Sequence, residues 1–397
     1  MSAHMLLSSR LKELKFHKQE IKNVILETFI ILQLLRMITG FPEFFYLATI
    51  IAMPLGVLIF MNLMNIKIKV GVLIFAGVSA LMLYLSNGPM PALANTMYVI
   101  ANVACGYSVI SHRVERAYAK WLFYVLVSIF FIEWLFTEPD YGVLFSGSKN
   151  QIFVLLFAVF SIWILNATNK KLCDMSSFNY LCFYPACCLA IISIFMCSYS
   201  SILVSFSLLA GLSLLSIGKF RSFNAVLSVS IVWLVIIFFY GLDYNLNWEH
   251  HYKVSNLIKM IFGFEGFHHQ TPRAGILKDY LTSNSFFVGS NYNQEYFGLS
   301  NLHNSYLLFH SKYGFFVFLL FGVFLISFFR GFKNGFKGII LSCFLLSWIV
   351  RGFFDTVFFS GSSVDYILYA LVISPLISEY HFHDIEKPHT RNAATSC

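Results

Sequence analysis

Leu302–Gly314 reads LHNSYLLFHSKYG and runs straight into Phe315–Phe329, FFVFLLFGVFLISFF. The second stretch holds no charged residue, and with its apolar flanks it has the length a helix needs to cross about 30 Å of hydrocarbon. The first stretch carries two histidines, an asparagine and a lysine. The pair therefore predicts a membrane helix, near 303–329, that begins in polar surroundings and ends in lipid. At about 1.5 Å per residue that helix is about 40 Å long, so its first two turns project past the hydrocarbon.

Comparable apolar runs recur along all 397 residues, which are 58% hydrophobic, 18% aromatic and 12% charged. A soluble domain carries roughly 25% charged residues. The chain reads as an all-α polytopic membrane protein, and the short alternating strands of a membrane barrel are absent. Twelve spans are predicted, near 23–40, 43–64, 70–87, 92–111, 121–137, 151–167, 180–197, 201–217, 225–242, 303–329, 338–353 and 365–379. The predicted division is an amphipathic N-terminal segment 1–22, transmembrane helices 1–9 over 23–242, a large loop 243–302, helices 10–12 over 303–379, and a tail 380–397.

The net charge of +8 is explained by orientation. With the N-terminus inside, lysines and arginines crowd the inner turns, among them Lys67, Lys69, Arg113, Arg116, Lys170, Lys171, Lys219, Arg221, Arg330, Lys333 and Lys337. The positive-inside rule then places both termini in the cytoplasm. Nucleic acid is not needed to account for the basic surplus. The segment SSRLKELKFHKQEIKN reads as a surface-lying cytoplasmic helix, not a cleavable signal. Most of the eight cysteines fall inside spans, where they behave as small apolar residues, and no disulfide framework is expected.

One connection departs from the short turns of an up-and-down bundle. Residues 243–302 form an outward-facing loop, far longer than the roughly 15 residues that a connection without function usually reaches. YKVSNLIKMIFGF has the apolar spacing of a helix lying along the membrane surface. TPRAGILKDYLTSN reads as a second short helix, with Thr271 as its N-cap and Pro272 in its first turn. Ser283–Ser300 is rich in Asn, Gly, Ser and Tyr, a composition suited to sugar hydroxyls and faces.

On the helix that follows, His303, Tyr306, His310 and Gly314 share one stripe, at offsets 0, 3, 7 and 11. The stripe is predicted to face protein or a wet cavity, and Gly314 to admit a neighbouring helix. Lys312 lies nearly opposite, where a lysine snorkels. Three outer arginines run against the positive-inside rule: Arg36, Arg273 and Arg351. Arginine suits phosphate, since its planar fork bonds two oxygens at once. Asp355 is the local candidate for pairing Arg351. The doublets His250–His251 and His268–His269 do not make a metal site, because adjacent residues on a helix point about 100° apart and no His-Glu-x-x-His accompanies them.

These residues bring a family into view. RAGIL, Arg273–Leu277, resembles the Arg-x3-Leu element of the O-antigen ligase family and its related O-antigen polymerases. His303–Asn304, nine residues and Gly314 resemble that family's His-Asn-x9-Gly element, in the loop and helix where the family carries it. The resemblance implies a helical bundle of the C-type glycosyltransferase class. Two positions depart from it. Val317 stands where the family often has Gly, Thr or Tyr. In CSYSSILVSF, Cys197–Phe206, Ser200 and Ser201 stand where ligases commonly have a Ser-Arg pair. The second departure tilts the reading toward polymerase, with Arg351 or Arg36 as candidates for the missing charge.

The resemblance further implies a donor glycan on undecaprenyl pyrophosphate at the periplasmic face of the bacterial inner membrane. It implies His303 as general base, Arg273 as stabiliser of the departing pyrophosphate, and Asn304 as a residue that orients the histidine or binds a hydroxyl. Tyr306, His310, Arg351 and Arg36 complete the candidate substrate-binding set. No cofactor and no metal are expected. The expected partners are the undecaprenyl-pyrophosphate-linked oligosaccharide and membrane lipids, with a chain-length regulator and a flippase beside them and no nucleic acid. Two alternatives stand: a ligase joining the glycan to lipid A core, and a secondary transporter or flippase. Against the transporter, the two halves of the chain do not look alike and the unusual polar residues gather at the outer side.

Overall fold

The computed structural model of the chain describes residues 21, 23–34, 51, 55, 69–111, 117–136, 149–196, 199–220, 279–283, 286–289, 304–354 and 364–376. Among these residues the chain is helical and contains no strand. The helices are α1 (Asn23–Leu34), α2 (Lys69–Asn87), α3 (Pro89–Ser111), α4 (Ala117–Phe136), α5 (Lys149–Leu165), α6 (Asn169–Cys173), α7 (Met175–Phe178), α8 (Tyr184–Met196), α9 (Tyr199–Phe220), α10 (Ser305–Tyr313), α11 (Phe316–Lys333), α12 (Gly335–Phe354) and α13 (Asp365–Leu376). A π-helical turn, Asn179–Phe183, joins α7 to α8 without a break. Among the described residues, three stretches are long and apolar enough to cross a membrane: Met175–Ser193, Phe316–Lys333 and Gly335–Phe353. Helix is found at ten of the twelve expected spans. Residues 225–242, and all of 43–64 except 51 and 55, lie outside the described set, as do most of the long loop and both chain ends.

The core is an aromatic column between antiparallel α5 and α12. Phe153, Phe157 and Phe160 recur at helical spacing on one helix, and Phe344, Trp348 and Arg351 on the other. Phe157 stacks on Phe344 at 5.7 Å and meets Trp348 at 4.9 Å. The indole of Trp348 donates to Ser161 Oγ at 3.2 Å, so the buried N–H is satisfied. At one end of the column Lys337 Nζ donates to the carbonyls of Leu165 and Ala167, at 3.1 and 2.6 Å, and closes the C-terminus of α5. At the other end stands Arg351.

Sequential helices pair as α2 with α3, α4 with α5, α8 with α9 and α11 with α12. Gly88, at φ +83°, makes the turn between α2 and α3, and Gly335, at φ +73°, the turn between α11 and α12. The last described helix breaks this order. α13 packs along α3, and a Cβ on Gly106 would lie 2.7 Å from the Tyr366 carbonyl oxygen and 2.8 Å from the Ala370 nitrogen. Two backbones approach so closely there that only glycine fits.

Three sequence expectations are corrected. The helix expected over 303–329 is two helices, because Gly314 caps α10 at φ 58°, ψ −142°, and α11 starts anew at Phe316. The glycine admits no neighbouring helix. Its absent Cβ would lie 2.2 Å from the carbonyl oxygen of Phe287, in the 286–289 segment. Lys312 does not snorkel. It is 4% exposed and is sensed by Asp365 at the start of α13, itself 2% exposed. Its side chain is packed among protein atoms and does not extend to the interface. Cys173 is disulfide-bonded, whereas Cys105, Cys182, Cys187, Cys188 and Cys343 are free and take the packing role expected of them.

Candidate functional site

The candidate site gathers where α12 ends. Arg351 lies in the last turn of α12 with no solvent exposure. Its Nη1 donates to Ser201 Oγ at 2.7 Å, and its guanidinium carbon sits 5.1 Å from the centre of the Phe153 ring. A guanidinium in this setting is tolerable because hydrogen bonding and the ring face replace part of its hydration. Ser201 belongs to the first turn of α9 and Phe153 to the start of α5. Asp355, the local partner considered from sequence, lies outside the described residues.

α10 docks on the same end. Asn304 is its N-cap: Oδ1 accepts from the amides of Tyr306 and Leu307, at 2.9 and 3.1 Å, and Nδ2 donates to the Phe353 carbonyl at 3.1 Å. Three of the four hydrogen bonds an asparagine amide can make are thereby used to start the helix and tie it to α12, leaving one N–H for another partner. Tyr306 donates its hydroxyl to the Ile349 carbonyl at 2.7 Å, and its ring lies between Phe321 and Phe353 at 4.5 and 4.6 Å. Both residues fix where α10 begins. His303 immediately precedes this cap in the sequence and, with Arg273 and Arg36, lies outside the described residues.

His310 bonds to partners outside α12. Its Nε2 lies 2.9 Å from the Phe286 carbonyl oxygen, which can only accept, so Nε2 carries the proton. Nδ1 lies 2.7 Å from the hydroxyl of Tyr280, which is 1% exposed. With a neutral ring the Tyr280 hydroxyl donates and Nδ1 accepts. His310 thus fastens residues 279–283 and 286–289 to α10. The structure thus ties Asn304 and Tyr306 to α12, the helix that carries Arg351, while His310 bonds to Tyr280 and Phe286.

Gly314 completes this junction. Its N–H donates to the His310 carbonyl at 2.7 Å, and Phe315 N donates to the Phe287 carbonyl at 3.3 Å. Replacing Gly314 with alanine is expected to destabilise the protein by about 1–3 kcal/mol from backbone strain alone, with the contact at Phe287 adding to it. The check is thermal unfolding of the purified protein in detergent beside Gly322→Ala, since a Cβ at Gly322 meets nothing within 4 Å. Equal melting of the two variants would remove the structural role given to Gly314.

Sequence reading missed two features of the site. The pairing of Arg351 with Ser201 joins residues 150 positions apart and has no local signal beyond the departure from Ser-Arg at Ser200–Ser201. The burial of Lys312 is the second, within electrostatic reach of Asp365, an acidic residue that opens an otherwise apolar span. Asp365 is also within electrostatic reach of Tyr313 and Tyr369. Ser86 adds a tie from α2, donating to the Lys312 carbonyl at 2.7 Å.

No family model, no curated protein and no solved structure matches the chain. The functional reading therefore rests on the sequence elements and on the geometry around Arg351.

Proposed function

We propose that the protein is a surface-polysaccharide (O-antigen) polymerase that transfers an undecaprenyl-pyrophosphate-linked glycan to a sugar hydroxyl, at the periplasmic face of the bacterial inner membrane. In this reading both termini are cytoplasmic and the twelve predicted spans enclose the site. The observation that carries it is the bond between Arg351 and Ser201. The related ligases commonly carry an arginine beside a serine at the start of this helix, and here a guanidinium from α12 reaches that serine.

The surroundings favour an anion. α9 and α10 begin near the last turn of α12, and α5 begins near it, so three helix N-termini, each the positive end of a helix dipole, lie in this region. A buried cation among helix N-termini suits a diphosphate leaving group. The reaction then needs no nucleotide sugar. The acceptor hydroxyl oxygen bonds to the anomeric carbon, and the bond from that carbon to the pyrophosphate oxygen breaks. The electron pair leaves with the lipid pyrophosphate, and the hydroxyl proton passes to His303. Arg351, with Arg273, offsets the charge that develops on the departing oxygen.

Deleting the gene in its native strain and separating lipopolysaccharide on a silver-stained gel tests this reading. A single repeat unit on the core is the expected result, because ligation continues while chain growth stops. Bare core with polymer accumulating on the carrier lipid identifies a ligase instead. An unchanged ladder overturns both and favours transport.

A further inference from the structure

Residues 286–289 lie across the junction of α10 and α11 with their apolar side chains turned outward. Phe286 and Phe287 are 56% and 65% exposed, and Val288 is exposed beside them. Neighbouring aromatic rings on an irregular segment are unfavourable in water. Their surroundings are apolar as well. The Phe286 ring stacks on Phe318 at 5.0 Å and 27°, and Phe318 and Leu319 are exposed on α11. α11 has only 33% of its apolar window buried, against 61% for each of the other two stretches able to cross a membrane. It is the one that turns most of its surface outward, and the 286–288 side chains extend that surface.

The backbone points the other way. The Phe286 carbonyl takes a hydrogen bond from His310, and the Phe287 carbonyl takes one from the amide of Phe315. Gly289 lies against Ser311 so tightly that a Cβ would come within 2.0 Å of its carbonyl oxygen. An irregular segment enters hydrocarbon only when its polar groups are satisfied by protein. A loop bathed in water needs no such arrangement.

We infer that Phe286–Val288 is a lipid-inserted anchor, covered by the acyl chains of the bilayer as a continuation of the lipid-facing side of α11. Through His310 and Gly314 this anchor fixes the height of α10 against the bilayer. The inference rests on α11 crossing the membrane and not on the glycan-transfer reading, so the two can fail separately.

The test places the photoreactive residue p-benzoylphenylalanine at Phe287 of the full chain in cell membranes. After irradiation, the intact mass of the purified protein is measured. A phospholipid adduct at position 287, matched by one with the same residue at Phe318 and absent with it at Thr282, is the expected result. Labelling at 318 without labelling at 287 overturns the anchor, as does cross-linking of 287 to a protein or to a second copy of the chain. Absence of adducts at both 287 and 318 overturns it too, by removing the lipid-facing side it extends. Phe286 serves as the second position if the 287 chain does not accumulate.

Discussion

An Arg351→Met chain is expected to insert and accumulate normally and to lose glycan transfer by about 10²–10³-fold, the range seen when one donor to a developing anion is removed. Methionine is chosen over alanine because it refills much of the volume beside Phe153 and Trp348 without leaving a charge. Replacing a buried ionic group with an apolar one of similar size is often neutral or stabilising. Arg351→Lys keeps the charge but not the two-pronged donor, and is expected to fall between the two. The readout is the repeat-length distribution of lipopolysaccharide in the complemented deletion strain, with protein abundance measured beside it. Wild-type chain lengths from the methionine variant would falsify the anion-holding role, and loss of the protein along with activity would make Arg351 a structural residue.

His303→Ala is expected to reduce chain growth by about 10²–10⁴-fold with unchanged protein abundance, the contribution usual for a positioned general base. The sign of its pH dependence follows from the role. A base must be neutral to accept a proton, so wild-type transfer should decline as pH falls through about 6.5, the ordinary histidine value. Residual activity in the alanine variant should lack that decline. The measurement is transfer by purified protein in liposomes across pH, using a lipid-pyrophosphate-linked repeat unit. A variant that makes normal polymer removes His303 from the reaction. The surviving contacts of Asn304 with Tyr306, Leu307 and Phe353 make it a clean test, since α10 keeps its cap.

The sequence made the helices legible because lipid imposes one simple demand, a long apolar run. Helix is found at ten of the expected spans, three of which coincide with stretches long and apolar enough to cross a membrane. It did not show the break at Gly314, since a glycine within an apolar stripe looks the same whether it packs a helix or ends one. What decides between them is the carbonyl of Phe287, from a segment separated by most of a helix and a connection. Lys312 was misplaced through the same blindness. A lysine at a span boundary snorkels by default, and only the fold shows that Lys312 is buried. For the candidate site, sequence picked out Arg351, Asn304 and Tyr306 as unusual. It could not assign their contacts, because Ser201, Phe353 and Ile349 reach them through tertiary packing.

The seam between α3 and α13 bears on how the protein is made. A ribosome delivers α3 well before α13, yet among the described helices α13 shares its most extensive interface with α3. Until α13 arrives, the groove at Gly106 stands open. The bundle therefore matures only after α13 has been made, and a chain stopped before Asp365 holds an uncovered groove. Such late closure marks shortened products for the cell's membrane quality control.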